Sequence, residues 1–482
     1  MSNKKVYKDT YFFNQENALE VAKQQNRSGM FNDLQICYYN PLDIPLQESY
    51  ENLIPLPLEK IYDYMVETPN RMIKDINLSS DLPSDLCQDI AKYITKSQKN
   101  AVQKKYDFGL EYKNAIKNAF LDFDEPWRIF FLTSRHTTVL QYVIENIAEA
   151  FNGLGYDTFI SKEQNDMQSW HIDNNNAWHL KDIYEYNPHI VINLDNLNET
   201  LYNVSTFNFT WFQDSTAILY NKTKIDLNVR DYIFTLHDEF RDALIQKGVD
   251  KSKLFRQSFA TNPKIFFENK LIKKENKVVF LGSNYNFHDK CDISDNLVEE
   301  IIDDIKNNSV TKTKIQEYAV KSGLSKYTLE VWIIPSLVRK VSVIWMCQLE
   351  NIDIEVYGTD SWLDVPEVAP YYKGLLSYGK EMAKVYNSAK YAIVAHSQYR
   401  YQQRLFEISA CGAIPLVYKG QLLNEEFHHE ENILSFNTLK ELSLLIGKEP
   451  VKDSREISKD ISYKNMAKKI LDIVKNQLEE ER

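Results

Sequence analysis

The sequence predicts an α/β protein with two doubly wound, Rossmann-like parallel sheets in tandem, preceded by an N-terminal region that is mainly helical. Two observations carry this. From Trp127 onward, short apolar runs alternate with amphipathic segments, as they do when helices cover both faces of a parallel sheet. The chain also has 482 residues, more than one hydrophobic core serves, so more than one domain is expected.

Taken in order, residues 1–125 carry few strand signals. Residues 86–121 are charged, with apolar residues at helical spacing, so the region 1–125 is expected to be a mainly helical accessory region. Residues 52–58 contain Pro55 and Pro57 and are expected to form an extended connector. Residues 128–132 form the first apolar strand. A polar loop and a helix follow, the helix placing Val139, Leu140, Val143, Ile144, Ile147, Ala148 and Phe151 on one face before Gly153 and Gly155. Further strands are expected at 158–160, 189–194, 207–212 and 232–236, completing a domain over 126–270. A second domain, 271–482, opens with the strand 277–281 and Gly282. A helical insertion at 291–350 interrupts it, and strands resume at 352–357, 391–395 and 413–418. Helices fall between them at 379–389 and 402–411, and Thr438 with Glu441 announces a later helix as a capping box.

Composition narrows the function. The 43% hydrophobic and 26% charged residues are those of a folded soluble protein. A net charge of −11, with basic residues scattered, disfavours nucleic acid as a partner. No apolar run reaches the length of a transmembrane helix and the N-terminus has no apolar leader, so a cytoplasmic location is expected. Cys37, Cys87, Cys291, Cys347 and Cys411 lie far apart without ligand spacing, which predicts reduced thiols and no zinc site. P-loop, GxGxxG, GxSxG and HExxH patterns are missing, so the NTPase, dehydrogenase, hydrolase and zincin readings lack their motifs.

The most informative stretch is Arg404, Phe406 and Glu407 ahead of the Ala410-Cys411-Gly412 turn and the apolar run 413–417. A glutamate on a helix can accept both hydroxyls of a ribose, and a small-residue turn lets helix and strand pack closely. This stretch resembles the donor-binding motif of group 1 glycosyltransferases of the GT-B fold, most closely the branch related to the spore-maturation protein CgeB. Residues 354–358 resemble that family's strand and glycine turn, residues 374–389 its loop and helix, and Trp211 with Asp214 a Trp-x-x-Asp strand end. The resemblance covers residues 126 to about 450 in element order and leaves 1–125 unmatched; since its donor motifs all lie after residue 350, residues 1–125 are expected to serve acceptor recognition or assembly.

It implies a bacterial GT-B enzyme with two facing domains, the acceptor on the first and the donor on the second. The reaction implied is metal-independent transfer of a hexosyl or N-acetylhexosaminyl group from a nucleotide-diphosphate sugar, a UDP-sugar by frequency. The acceptor would be a cell-surface glycan or a protein such as flagellin or a spore-coat component. Glu407 would take the donor ribose and Arg404 the phosphates. His396 and Ser397 would lie at the donor sugar or phosphates, with Tyr357, Gly358, Tyr378 and Gly412 completing the donor side. No cofactor beyond the donor co-substrate is expected. Asp214 and His136, the latter in the loop after the first strand, are the candidate catalytic residues, since a histidine there suits a base toward an acceptor hydroxyl.

Each residue also has a plainer reading. Arg404 and Glu407 suit a surface ion pair, Asp214 a cap, and His136 a polar contact. Retaining members carry a second glutamate eight positions before the first. Here Tyr399 stands at that position, so retention, which the resemblance favours, is not secured. That departure keeps open a non-catalytic nucleotide-sugar or glycan-binding module, and a nucleotide-sugar epimerase is a more distant alternative. Asp122 and Asp124 match the Asp-x-Asp pattern of metal-dependent transferases, but they precede a strand instead of ending one.

Overall fold

The computed structural model describes residues 9–14, 18–23, 34–39, 53–67, 73–77, 83–133, 138–162, 177–197, 203–214, 216, 219, 224–399, 401–422 and 427–482. The chain divides into two compact units. One comprises residues 1–235, 239–255 and 477–482, the other 236–238 and 256–476. Residues 1–125 thus share a unit with the sheet that follows them, and the second unit's main segment begins at Arg256, ahead of the expected residue 271.

The first unit contains a sheet that the sequence reading missed. Strands β1 (Asp9–Asn14), β2 (Leu34–Tyr39), β3 (Leu53–Pro55) and β4 (Ile73–Asn77) form a parallel sheet in the order β3-β2-β1-β4. The mainly helical extension is corrected accordingly, because it combines this sheet with its helices. Residues 53–55 of the expected connector are an edge strand, where a proline is tolerated since its missing N–H faces away from the ladder. The expected helix is present as Ser84–Lys117, which starts directly after Pro83. Its Ile90, Ile94 and Ala101 are buried with Cys37, Ile61, Met65 and Ile73, while Ile116, near its far end, is buried with Phe130, Leu132, Leu180 and Ile183. Burying each such aliphatic side chain stabilises the fold by about 1.5–3 kcal/mol.

The second sheet of this unit is formed by β5 (Arg128–Thr133), β6 (Asp157–Lys162), β7 (Ile190–Leu194), β8 (Phe207–Phe212), β9 (Asp231–Thr235) and β10 (Leu254–Arg256), in the order β10-β9-β8-β7-β5-β6. The pairs from β6 through β9 are parallel. Residues of β7, β8 and β9 are buried throughout, as expected of strands covered on both faces. Strand order reverses between β5 and β7, a topological switch point.

The second unit is built on β11 (Glu275–Leu281), β12 (Asp353–Tyr357), β13 (Ala389–Val394), β14 (Ile414–Tyr418) and β15 (Leu434–Phe436), all parallel, in the order β12-β11-β13-β14-β15. Alternation along β11 sends Val278 and Phe280 into a core with Leu337, Val338 and Val341, and Val279 and Leu281 into another with Ala383, Leu405 and Ile408. The expected helical insertion is present between β11 and β12, as Asp295–Lys306, Lys312–Ser322 and Ile334–Cys347 with a π-helical turn at Leu329–Ile333. This sheet has its switch point between β11 and β13. Two α/β units with parallel sheets, the class expected, are therefore present. No described helix is long and apolar enough to cross a membrane.

Candidate functional site

Open parallel sheets offer a ligand crevice outside the carboxyl ends of the strands that flank a switch point. In the second unit these are the ends of β11 and β13. Strand β11 runs into Gly282, whose N–H donates to the Tyr357 carbonyl at 2.8 Å, and β12 runs into Gly358 beside it. A Cβ on Gly358 would fall 2.3 Å from the Gly282 carbonyl oxygen, so glycine at 358 is what lets these strand ends approach this closely. The Trp362 indole N–H donates to the same carbonyl at 2.8 Å and fixes the turn.

Two guanidinium groups converge on this turn. Arg404, near the N-terminus of the helix Gln403–Ala410, lies against Gly282, where an added Cβ would meet its Nη2 at 2.7 Å. It also sits over the Phe280 ring at 5.2 Å. Arg339, from the helix Ile334–Cys347, donates to the Ser283 carbonyl at 3.2 Å and stacks over Tyr285 at 4.4 Å. Burial, followed by the Arg404 charge, pushes Arg339 down to about 10. Two like charges and a helix N-terminus at one strand end form an electropositive crevice suited to an anion.

On the β13 side stand His396 and Ser397. The His396 Nδ1 accepts from the backbone N–H groups of Gln398 and Tyr399, both at 3.2 Å, which assigns the ring proton to Nε2. Burial and then the charges of Arg339 and Arg404 lower its pKa to about 3, so it is a neutral hydrogen-bond donor near neutral pH. The Ser397 hydroxyl is buried and has no hydrogen-bond partner among the described residues. A buried polar group without a partner costs stability and is a mark of a site that receives one. Tyr399 stacks on His237 with ring centres 3.8 Å apart.

Glu407 lies one helical turn beyond Arg404, and only 2% of it is exposed. Its Oε1 accepts from Tyr378 Oη and Gln403 Nε2, each at 3.1 Å. Burial raises its carboxyl to about 7 against the pull of those two bonds and of Arg404. The surface ion pair considered from sequence is thus set aside, because Glu407 is interior and braced by neutral groups.

The structure brings together Arg404, Glu407, Tyr378, His396, Ser397 and Gly358, but not all the residues expected. Gly412 closes the far end of the helix at φ 69°, where it turns the chain in the left-handed region with Glu268 against it. The Tyr357 hydroxyl donates to Glu355 at 2.9 Å on its own strand. Asp214 lies in the first unit at the end of β8, with an exposed side chain. His136 lies outside the described residues. Asp122 accepts from the Asp124 N–H at 2.9 Å, and Asp124 pairs with Arg482 at 3.0 Å. Arg339 and Gln403 were not foreseen. For Arg339 the available signal was a basic residue set among apolar ones in the insertion; Gln403, one residue before Arg404, carried none.

Residues 339–470 match the family described as glycosyl transferase-like. The matched stretch holds Arg339, Gly358, Tyr378, His396, Ser397, Arg404 and Glu407, and of the crevice omits the β11 end. None of the curated proteins compared matches the chain. Among solved structures, the chain is similar to a glycosyltransferase from Rickettsia africae, at 13% identity over 73% of this chain and 99% of that one, with a TM-score of 0.46. It is also similar to sucrose-phosphate synthase from Thermosynechococcus elongatus, at 8% identity over 73% and 99% with a TM-score of 0.46. A third is Anabaena HepE in complex with UDP and glucose, at 11% identity over 73% and 100% with a TM-score of 0.41. The assignment of two doubly wound parallel sheets rests on the strand orders themselves.

Proposed function

We propose that this protein is a glycosyltransferase of GT-B type that takes a sugar from a nucleotide-diphosphate sugar, with the donor on its second unit. The observation that carries this reading is the convergence of Arg404 and Arg339 on the Gly282–Ser283 turn, one helical turn from the buried Glu407. The diphosphate meets the two guanidinium groups, and the ribose hydroxyls donate to Glu407. When the bond between the sugar and the diphosphate breaks, negative charge grows on the leaving oxygen. Arg404, Arg339 and the N–H groups opening the helix Gln403–Ala410 stabilise that charge without rearranging. Since the chain supplies this positive charge itself, the reaction needs no divalent ion. The His396 Nε2–H and the Ser397 hydroxyl serve as neutral donors to the phosphates or the sugar. The acceptor is a hydroxyl of a surface glycan or protein, assigned to the first unit, where Asp214 is the candidate base.

The deciding experiment incubates the full chain with a panel of UDP-, GDP-, ADP- and dTDP-sugars and measures nucleoside diphosphate release. Release from one donor, abolished in Arg404→Ala, is expected. Tyr399 in place of a second glutamate favours one other reading, a module that binds nucleotide sugars without breaking them. Calorimetric binding without release from any donor would establish that module and overturn the transferase.

A further inference from the structure

The first unit has its own switch point, and the residues at its carboxyl edge form a second constellation. Asp195 follows β7 directly and is only 5% exposed, with φ at 54°, a left-handed conformation that aspartate tolerates better than most residues. Its Oδ1 accepts two backbone N–H groups from the end of β8, Gln213 at 2.6 Å and Asp214 at 3.0 Å. One buried carboxyl thus fixes the two residues through which β8 leaves the sheet. Gln213 is 4% exposed, and its Nε2 has no acceptor among the described residues. An interior amide donor left unmatched beside an exposed carboxylate points to an oxygen-bearing ligand.

We infer that Asp195 is a positioning residue, holding the end of β8 so that the Asp214 carboxylate and the Gln213 amide meet the same acceptor hydroxyl. The inference rests on the proposed transfer reaction. In that step the acceptor oxygen bonds to the sugar's anomeric carbon as the carbon–oxygen bond to the diphosphate breaks. The electron pair leaves with the nucleoside diphosphate, and the hydroxyl proton passes to Asp214. Burial, with the Asp214 charge adding to it, pushes the Asp195 carboxyl well above the ordinary carboxylate range. Burial raises the Asp214 carboxyl too, and Asp195, the more enclosed of the two and facing the Asp214 charge, is the harder to ionise.

The test uses the full chain, the nucleotide sugar that the panel selects, and water as the acceptor, so no natural acceptor is needed. Asp214→Asn and Asp195→Ala are expected to lower kcat for donor hydrolysis at least tenfold while donor KM stays within about twofold. Asp195→Asn keeps an oxygen that accepts both N–H groups, and its kcat should return to within about threefold of wild type. A merely structural role would not separate Asn from Ala in kcat at equal donor KM. If Asp195→Ala does not fold, Asp195→Glu takes its place, since it carries the carboxyl one methylene too far and should show the same loss. Wild-type kcat in Asp195→Ala, or an Asp195→Asn as slow as Asp195→Ala, overturns the inference. A wild-type chain that releases no diphosphate from any donor overturns the transfer reaction itself, a distinct result.

Discussion

The Arg404 guanidinium occupies the space that a side chain on Gly282 would need, with Nη2 2.7 Å from the position of an added Cβ. The atom in the way is the far end of a flexible side chain, so Gly282→Ala can be accommodated if Arg404 swings out. The cost then falls on anion binding as well as on the fold, since Gly282 sits at φ 159° and the Phe280 ring lies 3.1 Å from the added Cβ. Calorimetry on the folded variant should show nucleoside diphosphate affinity at least about tenfold weaker, ~1.4 kcal/mol, alongside a lowered melting temperature. Unchanged affinity would remove Arg404 from the phosphate site.

Gly358 offers the opposite case. There an added Cβ would lie 2.3 Å from a backbone oxygen, that of Gly282, and backbone cannot rotate away. Gly358→Ala should cost about 1–3 kcal/mol of stability, as overpacking does, and thermal denaturation should register it whether or not a nucleotide is present. A variant as stable as wild type would show that the β11 and β12 ends can separate freely.

Glu407 links pH to both stability and binding. Its carboxyl rises from 4.5 to about 7 on folding, chiefly through burial. Between these values the folded chain holds a proton that the unfolded chain has released, so this contribution is full below pH 4.5 and is lost as pH rises through 7. The loss is on the order of 3 kcal/mol. Glu407→Gln removes it, so the variant should melt above wild type at pH 8 while binding nucleoside diphosphate at least about tenfold more weakly. Wild-type affinity should climb as pH passes 7, because the ribose hydroxyls donate to the ionised carboxylate. A flat profile would show that Glu407 does not hold the ribose.

The second unit was legible in the sequence for a physical reason. Its buried parallel strands are unbroken apolar runs such as residues 414–418, and its helices carry apolar stripes, so the alternation can be counted. Glu407 and Arg404 were legible because the small turn at Cys411 and Gly412 follows them. The N-terminal sheet was not. Strands such as Asp9–Asn14 and Ile73–Asn77 mix polar and apolar residues over a few positions, too short for either period to emerge. Arg339 was hidden differently, since its helix and Arg404 lie far apart in the chain and only strand order brings them to one crevice. Asp195 gave no signal at all: its role depends on the backbone of a neighbouring strand.

If the diphosphate is neutralised by Arg404 and Arg339, chelation should leave the reaction intact. Diphosphate release in excess EDTA is expected to stay within about twofold of the untreated rate, because the guanidinium groups already supply the positive charge at the leaving oxygen. Complete loss, restored by Mn²⁺ or Mg²⁺, would sink the metal-free reading.

The helix Ser84–Lys117 makes a chain that begins at Phe123 a test of packing before it is a test of function. Ile116 is 4% exposed and packs with Phe130 and Leu132 of β5 and with Leu180 and Ile183, while the ring of Tyr112 lies 5.6 Å from that of Tyr184. Starting at residue 123 deletes both side chains and uncovers one face of the second sheet of the first unit. The shortened chain should therefore melt well below the full one or aggregate, whatever residues 1–125 do for an acceptor. Ile116→Ala in the full chain isolates the effect: truncating a buried aliphatic side chain to alanine should cost about 2–5 kcal/mol, read by denaturant unfolding. If that variant unfolds at the wild-type denaturant concentration, the helix end is not part of the core. An acceptor role for residues 1–125 could then be tested by simple deletion.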